Sequence, residues 1–490
     1  MSLRSINEKV VDRSYKNAIR LIKQRRRPQR PSAEITRVKD SSHQRGPNGD
    51  ENAGFRGVSS LDGMKGWLEK IGHSLSDINK LNVIHVAGTK GKGSTCAFTS
   101  SLLMSYSERV GFPKKVGLYS SPHLIFPEER IRINSDPIKR NLLAKYFFEV
   151  YDALSLQDVG VLARPRYLQL FLLVALHAFI REGVDAAVIE THHGGEFDAT
   201  NVVEQPVVTA IASLGMDHVA QLGPKLENIA WHKAGIMKSG AKAFSAPQAE
   251  EAAEVLRKRS IERATDLKFV DYDPSLDGIG LSPKVQRLNC SLALAVARAF
   301  IFEKSPDKLP LVKDDIVKGV KQFSWPGRFQ RVTEGTSQWY LDGAHNEMSV
   351  VEAAAWFKEE TERESVSSEK ILIFSQISDQ RSSTDTFRKL AEALSDVNIQ
   401  HLVLTVYEAD QDLESVADVT PDFGPEFQQF AEIWQEHQPQ SAITYEPTVH
   451  QSIEKAQEIG QTSGGMQVLV TGSQHLVGAA LFDLCHSTPQ

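Results

Sequence analysis

Residues 83–95, which read VIHVAGTKGKGST, are of the types found in a phosphate-binding loop. Lys92 supplies a mobile cation, and Ser94 or Thr95 supplies a hydroxyl suited to Mg²⁺. The spacing differs from the common Walker pattern because Lys92 precedes the last glycine. Three glycines remove the Cβ atoms that would keep backbone N–H groups from phosphate oxygens: Gly88, Gly91 and Gly93. We predict a strand, a triphosphate-binding loop and a helix whose positive end faces the phosphates, with a plain glycine-rich turn as the alternative.

Carboxylates and imidazoles follow two other apolar runs. Glu190 ends one run, and Asp217 and His218 follow another, so they could stand near the phosphates and hold Mg²⁺ jointly with a nucleotide. Taken alone, His218 would be interpreted as a core or helix-capping histidine. His192 and His193 raise the alternative of zinc. It is the weaker interpretation, because adjacent side chains on an extended segment point in opposite directions and no cysteine is close in sequence.

Lys233 and Arg328 are the remaining candidates for chemistry. Lys233, within IAWHKAGI, falls in a predicted helix packed on the sheet. It is either a snorkelling surface lysine or a desolvated amine whose pKa is lowered enough to react with CO₂, and periodicity does not separate the two. Arg328 follows a Trp-Pro-Gly hinge and would reach phosphates only when two domains close. A structural ion pair for Arg328 and a turn role for Asp342 are the alternatives.

Short runs rich in β-branched residues alternate with helix-like stretches. These predicted strands and helices would position the candidate site residues. Such runs occupy residues 83–87, 116–120, 186–190 and 207–212. They predict an α/β fold with a parallel sheet covered by helices on both faces. Ligands collect beyond the carboxyl ends of such strands. The polar residues that follow these four runs should therefore meet at one edge of the sheet.

A second, smaller α/β domain of Rossmann-like type is predicted after the hinge. Its candidate strands are residues 371–375, 401–405, 442–445 and 467–471, with helices at 349–362 and 384–394. We therefore divide the chain into a basic N-terminal helix and flexible linker at 1–57, a P-loop-type central domain at 58–327 and a C-terminal domain at 328–490. The helix is predicted over residues 5–23 and the linker over residues 28–57.

Charge and cysteine content limit the classes of partner. The 490-residue chain has a net charge of −6, but residues 1–57 hold 14 Lys/Arg and 6 Asp/Glu, so that segment carries +8 and the remainder −14. The basic segment could suit nucleic acid, an acidic membrane or an import receptor, and a solvated extension is the favoured interpretation. The three cysteines form neither a disulfide nor a zinc pattern, which favours a reducing compartment. The longest apolar run has 14 residues, fewer than the ~20 of a membrane-spanning helix.

Seven motifs in one order give the chain a family resemblance. They are AGTKGKGST, SSPHL followed by ERIRIN, GGEFDATN, LGPKLENIAWHKAGI, WPGR, LDGAHN and TGSQHLVG. The chain resembles the folylpolyglutamate synthase branch of the Mur ligase superfamily, which are ATP-dependent amino-acid ligases. The resemblance extends over residues 64–478 and includes the helix near residues 14–19. One departure is Thr191-His192-His193, where family members commonly carry Val-Gly-Leu or Val-Gly-Ile.

The resemblance implies roles for individual residues. Lys92, Lys233 and His345 would be catalytic, and Lys233 stands where family members carry a carbamylated lysine. Arg328 and Asp342 would contact nucleotide from the second domain. The ATP phosphates would be held by Gly88, Thr89, Lys90, Gly91, Lys92, Gly93 and Ser94. The Mg²⁺ ligands would be Ser121, Glu190 and His218, with a monovalent cation such as K⁺ as a further candidate. Residues 121–130 resemble the loop that shapes the folate site, and the glutamate site would lie near His345 and Asn346.

The resemblance also implies a reaction and partners. The folate γ-carboxylate would be activated by ATP to an acyl phosphate, which the amine of L-glutamate then attacks. The partners would be reduced folate, L-glutamate and ATP, without nucleic acid or a stable membrane span, and the protein would be a monomer of the cytoplasm with a mitochondrial form as a further option. The alternatives are a dihydrofolate synthase, a peptidoglycan Mur ligase and an inactive nucleotide-binding homologue.

Overall fold

The computed structural model describes residues 12–26, 59–157, 164–363, 368–376, 382–407 and 423–486. Within these ranges the strands form two sheets, one of eight strands and one of six. The predicted α/β class with a larger and a smaller sheet is confirmed, but both sheets are mixed, whereas the sequence predicted a parallel one for the larger domain. The predicted linker at 28–57 and residues 5–11 of the predicted N-terminal helix lie outside the described residues.

The first sheet carries the predicted phosphate loop. Its strands are β1 Ile84–Ala87, β2 Val116–Tyr119, β3 Ile131–Ile133, β4 Asp136–Pro137, β5 Ala186–Glu190, β6 Val208–Ile211, β7 Lys242–Ser245 and β8 Asp266–Phe269. Their order across the sheet is β4-β3-β2-β5-β1-β6-β7-β8. All pairings are parallel except those of β2 with β3 and of β3 with β4, which are antiparallel and lie at one edge. The link from β2 to β3 needs no crossover helix, so an antiparallel pairing is available there.

Helices cover both faces of this sheet. They are α1 Tyr15–Lys23, α2 Met64–Lys70, α3 Leu75–Lys80, α4 Lys92–Val110, α5 Arg140–Ala153, α6 Tyr167–Glu182, α7 Val219–Leu222, α8 Leu226–Ala234, α9 Glu250–Glu262, α10 Lys284–Lys304 and α11 Lys313–Gln322. Strands β1, β2, β5 and β6 are buried at every position. One core contains α4, α10 and α11, and the opposite core contains α1, α5 and α6. Strands buried on both faces read as continuous apolar runs, which is why the sequence located them.

One helix among the described residues is long and apolar enough to cross a membrane. It is α10, Lys284–Lys304, and it meets that criterion by length and composition only. Leu292, Ala293 and Phe300 of this helix are fully buried in the core that it shares with α4. Packing inside the protein therefore accounts for its apolar composition.

The N-terminal helix α1 packs on the central unit. Ser14 caps it by accepting a hydrogen bond from the N–H of Asn17 at 3.2 Å. Ala18, Ile19 and Ile22 are buried in the core that contains α5 and α6. The sequence analysis assigned this helix to a separate basic segment, because the many Lys and Arg residues of that segment suggested an exposed position. The apolar residues of the helix are nevertheless buried against the central unit.

The second sheet is built from residues beyond the hinge. Its strands are β9 Gln330–Glu334, β10 Ser337–Leu341, β11 Glu369–Phe374, β12 His401–Thr405, β13 Ala442–Glu446 and β14 Met466–Thr471. Its helices are α12 Glu347–Arg363, α13 Ser383–Ala393, α14 Pro425–His437, α15 Val449–Ser463 and α16 Gln474–His486. The order is β13-β12-β11-β14-β10-β9, and only β9 is antiparallel. The predicted boundary at 327/328 falls between the two sheets.

Candidate active site

The predicted phosphate loop joins β1 to α4. Gly91 at the start of α4 has φ +81°, in the left-handed region that favours glycine. A Cβ at Gly91 would lie 2.2 Å from Asn289 Oδ1, and one at Gly88 would lie 2.8 Å from the Cβ of Ala212. These two glycines are therefore required by close packing inside the protein, a reason that the sequence alone did not show.

The backbone N–H groups in the two halves of the loop differ in their hydrogen bonding. The N–H groups of Thr89 and Lys90 donate to the carbonyl of Ser213 at 2.9 and 3.1 Å. Those two amides are engaged within the protein, so any contact of Thr89 and Lys90 with phosphates would be made by their side chains. The first turn of an α-helix leaves its N–H groups without intrahelical partners. The N–H groups that remain available for a phosphate would therefore be those between Gly91 and Ser94.

Lys92, Glu190 and Ser121 lie together beyond the ends of β1, β5 and β2. Lys92 Nζ is 3.8 Å from Glu190 Oε1, and the Ser121 N–H donates to Glu190 Oε2 at 3.2 Å. Burial raises the pKa of the Glu190 carboxyl, and the charge of Lys92 opposes that rise. An oxygen-rich pair of this kind fits Mg²⁺, which keeps several water or phosphate ligands and needs few from the protein.

His218 lies beside His193 in this structure. His218 Nε2 is 3.2 Å from His193 Nδ1 and 4.0 Å from Asp217 Oδ1. Asp217 also places Oδ2 3.7 Å from Lys90 Nζ. Over the described ranges, no three His, Cys, Asp or Glu side chains are grouped to hold a metal by themselves. The structure thus gives no support to a zinc site, and His218 as a Mg²⁺ ligand stays a prediction.

Lys233 is a buried amine and not a snorkelling surface lysine. The residue is 3% exposed, and its Nζ donates to the carbonyl of Gly88 at 2.7 Å. Burial lowers its pKa to about 7, and the charge of Lys92 contributes to that lowering. Of the two interpretations left open by periodicity, the structure selects the desolvated one. The amine lies directly behind the phosphate loop.

His192 and Asp198 belong to a buried polar network behind Glu190. His192 Nε2 is 2.7 Å from the Tyr119 hydroxyl, and His192 Nδ1 is 3.5 Å from Asp198 Oδ1. Asp198 also accepts the N–H of His193 at 2.8 Å. Sequence reasoning missed Asp198, although it lies within the GGEFDATN motif. The two histidines do point to opposite sides, and His192 supports the segment that carries Glu190.

The second domain contributes His345 directly to the phosphate loop. His345 Nδ1 donates to the carbonyl of Gly343 at 2.8 Å, so Nε2 carries the lone pair. That Nε2 lies 3.0 Å from Lys90 Nζ and accepts its hydrogen bond. This contact links the two domains at the loop. Asn346 caps the helix that follows, where its Oδ1 accepts the N–H of Ser349 at 3.0 Å.

Arg328 and Asp342 lie next to each other in the second domain. Asp342 is buried, and its Oδ2 accepts the N–H of Phe329 at 2.9 Å. Burial raises the pKa of the Asp342 carboxyl, and Arg328 opposes that rise. Arg328 also acts electrostatically on Glu190 of the first domain. Its charge is therefore felt in the first domain, while the contact of both residues with nucleotide stays a prediction.

Replacing His345 with phenylalanine tests the interdomain contact. We expect turnover to fall about tenfold, because a hydrogen bond to a charged group is lost while the ring volume is kept. Steady-state kinetics measure the loss, and thermal unfolding should change by less than about 2 °C. His450→Phe, on an exposed helix of the same domain, is the matched control. Equal turnover of the two variants would contradict a role for this contact.

Comparison with known proteins identifies the family of the chain. A family model described as dihydrofolate synthetase, C-terminal domain, matches residues 327–482. The folylpolyglutamate synthase of Neurospora crassa is 38% identical over 464 residues, which cover 88% of this chain and 86% of that protein. The probable folylpolyglutamate synthase of Schizosaccharomyces pombe is 39% identical over 439 residues, with 86% of each chain covered.

A solved structure supports the same fold. The Mycobacterium tuberculosis folylpolyglutamate synthase complexed with ADP superimposes with a TM-score of 0.71 and 22% identity, covering 97% of this chain and 99% of that one. At that identity the likeness establishes the fold, and the fungal sequences establish the family. On these grounds the chain belongs to the folylpolyglutamate synthase family.

Proposed function

We propose that this protein is an ATP-dependent ligase that adds L-glutamate to the γ-carboxylate of reduced folates. The family assignment indicates folylpolyglutamate synthase activity, a carbon–nitrogen ligation. The observation that carries the proposal is the 3.0 Å contact between Lys90 and His345. It brings residues of both domains to the phosphate loop, beside Glu190 and the buried amine of Lys233.

The reaction has two steps. A carboxylate oxygen of the folate attacks the γ-phosphorus of ATP, which forms an acyl phosphate and releases ADP. The amine of glutamate then attacks the acyl carbon, phosphate leaves, and the amine loses a proton. Lys92, the amides of residues 91–94 and Arg328 stabilise the negative charge on the transferring phosphoryl group. Closure of the second domain excludes water, which would otherwise hydrolyse the acyl phosphate.

Ser121, Glu190 and His218 would hold Mg²⁺. When bound, the ion supplies positive charge that neutralises the phosphate oxygens. Ser121 and Glu190 already lie in contact with each other, and an imidazole turned away from His193 would complete the set. K⁺ is a further candidate ion, for which the described residues offer no specific group.

Carbamylation of Lys233 is the proposed covalent modification of the site. A neutral buried amine adds to CO₂, which forms a nitrogen–carbon bond and releases a proton. The lowered pKa makes the neutral amine available near neutral pH. The positive charges of Lys92 and Lys90, which disfavour an ammonium at this position, would favour the resulting carbamate anion.

The remaining proposals concern the state of the protein in the cell. We place it in the cytoplasm as a monomer, with a mitochondrial form as an addition, on the basis of its cysteine pattern and its family resemblance. Its partners would be folate, glutamate and ATP without nucleic acid. Fractionation with a C-terminal tag tests the location, and light scattering tests the oligomeric state.

Dihydrofolate synthase is the second candidate function. The observation that favours it is the description of the family model that matches residues 327–482. Against it stand the fungal folylpolyglutamate synthases, which match most of the chain. A peptidoglycan ligase would require a nucleotide-linked muramyl acceptor. An inactive homologue would bind ATP without releasing ADP.

An acceptor-specificity assay decides between these functions. Tetrahydrofolate and dihydropteroate are offered separately with glutamate and ATP, and ADP release is measured. We expect turnover with tetrahydrofolate to exceed that with dihydropteroate by at least about tenfold. Turnover of dihydropteroate alone would contradict the proposal, and ATP binding without glutamate-dependent ADP release would identify an inactive homologue.

A further inference from the structure

Arg130 is a buried arginine that has no carboxylate partner in the part of the chain that the structure describes. Its side chain is 4% exposed, and its Nε donates to His123 Nδ1 at 2.8 Å. Its Nη1 is buried and makes no hydrogen bond within the described ranges. A buried charge is costly unless it is paired and hydrogen-bonded. The unsatisfied N–H edge of this guanidinium therefore points to an anion that comes from outside the protein.

The acidic residues next to Arg130 are used elsewhere. Glu128 Oε1 accepts Arg140 Nε at 2.7 Å, and the Tyr15 hydroxyl also donates to Glu128. Glu129 accepts three backbone N–H groups, at 2.7 to 3.1 Å, from Leu124, Ile125 and Phe126. Both carboxylates are thus turned away from Arg130. Arg130 therefore has no carboxylate partner among the described residues, although two acids directly precede it in sequence.

The end of α1 adds positive charge at the same place. The guanidinium of Arg26 lies 4.5 Å from the Tyr167 ring centroid and that of Arg130 lies 5.5 Å from it. Arg26 Nη2 also donates to the Tyr167 hydroxyl at 3.1 Å. Tyr167 begins the 16-residue helix α6, whose positive end faces this region. Two arginines therefore converge on one ring at a helix N-terminus.

The charges of Lys23 and of His475 in the second domain also act on residues of this region. Burial lowers the pKa of His123, and the charges of Arg130, His475, Arg26 and Lys23 lower it further. Burial pushes the pKa of Tyr167 up, but Arg130 and Arg26 outweigh it and the net pKa is lowered. We call Lys23, Arg26 and Arg130 the Arg130 cluster. The charge of Arg130 also acts on Glu190, where it opposes the rise in pKa that burial causes.

We propose that the Arg130 cluster is a subsite for the α-carboxylates of the acceptor's γ-glutamyl chain. The inference rests on the proposed function and specifies its substrate class. Arg130, whose charge acts on Glu190, takes the carboxylate nearest the reacting end, and Arg26 and Lys23 at the end of α1 take those further along. Each ligation adds one more α-carboxylate, and a row of cations suits a chain whose charge grows in this way. Carboxylate and phosphate are both oxyanions, so the test distinguishes the glutamyl chain from ATP.

Equilibrium binding of folate monoglutamate and folate pentaglutamate tests the proposal. Calorimetry is done on the full chain, with ADP as a third ligand. We expect the wild type to bind pentaglutamate at least about tenfold more tightly than monoglutamate, with a steep dependence on salt. Arg130→Gln should weaken both folates about tenfold or more and leave the dissociation constant of ADP within about twofold.

Two further variants test the part of the Arg130 cluster that lies at the end of α1. The double variant Lys23→Gln/Arg26→Gln should weaken pentaglutamate binding more than monoglutamate binding, and so reduce the chain-length preference to about threefold or less. Arg20→Gln removes the same kind of charge from an exposed position on α1 and is the matched control. It should keep the preference.

Several outcomes would overturn the proposal. A chain-length preference that survives in the double variant would overturn it, and so would a loss of ADP affinity in Arg130→Gln, which would assign phosphate as the anion. Arg130→Gln should unfold at the wild-type temperature or above, because it removes an unpaired buried charge. A wild type that binds or turns over no folate would reject the proposed function itself. Turnover of folates without any chain-length preference would reject this inference alone.

Discussion

Lys233→Ala is expected to abolish ligation while ATP binding remains nearly intact. We expect turnover to fall by roughly 10²- to 10³-fold, because a positioned charged group next to the phosphoryl transfer site is lost. ATP affinity should change by less than about threefold, since the loop amides and Lys92 remain. Steady-state kinetics and calorimetry measure the two quantities separately.

The carbamate can be observed directly. Protein equilibrated with ¹³C-bicarbonate should show a carbamate carbon signal by NMR in the wild type and none in Lys233→Ala. Because the pKa of Lys233 is lowered to about 7, the neutral amine predominates above that pH, and uptake of CO₂ should slow as the pH falls below it. Lys225→Ala, on the residue just before α8, is the control. Wild-type turnover in Lys233→Ala would remove the carbamate from the mechanism.

Glu190→Gln is expected to raise the Mg²⁺ requirement steeply. The amide oxygen can still accept the Ser121 N–H, so the local backbone is kept while the charge is lost. We expect the Mg²⁺ concentration for half-maximal activity to rise by at least about tenfold. Metal titrations of activity and of ATP affinity measure the shift.

Two further variants show whether a change in the Mg²⁺ requirement is specific to Glu190. Glu204→Gln removes an exposed carboxylate whose partner is Lys65, and it should leave the Mg²⁺ requirement unchanged. His218→Ala should raise the requirement as Glu190→Gln does if both are ligands. A Glu190→Gln enzyme with the wild-type Mg²⁺ dependence would show that this carboxylate is not a ligand.

The strands that sequence predicted well are those buried on both faces. Strands β5 and β12 have the predicted bounds, because continuous apolar runs ended by polar residues mark them clearly. Strands β7 and β8 at one edge of the sheet were missed, since they are only partly buried and carry residues such as Lys242 and Asp266. The hairpin of β9 and β10 was missed for the same reason: β9 is largely exposed.

The positions of site residues could be predicted from the sequence where those residues lie at the ends of neighbouring strands. Ser121, Glu190 and Lys92 follow three neighbouring strands, so their meeting follows from a parallel sheet. The contact of Lys90 with His345 spans 255 residues and depends on how two domains are placed, which no local pattern encodes. The burial of Lys233 was equally hidden, because a helix packed on a sheet shows the same spacing whether its lysine faces in or out.

The hydrogen bond from Lys233 Nζ to the Gly88 carbonyl couples the amine to the phosphate loop. A change in the charge of Lys233 Nζ would alter this hydrogen bond to the Gly88 carbonyl, which belongs to the loop. By reciprocity, a gas molecule captured on the nitrogen and a nucleotide held by the loop must alter each other's affinity by the same factor. Because ATP affinity is expected to change by less than about threefold when this amine is removed, dissolved CO₂ would change the affinity for nucleotide by a factor of no more than about that size.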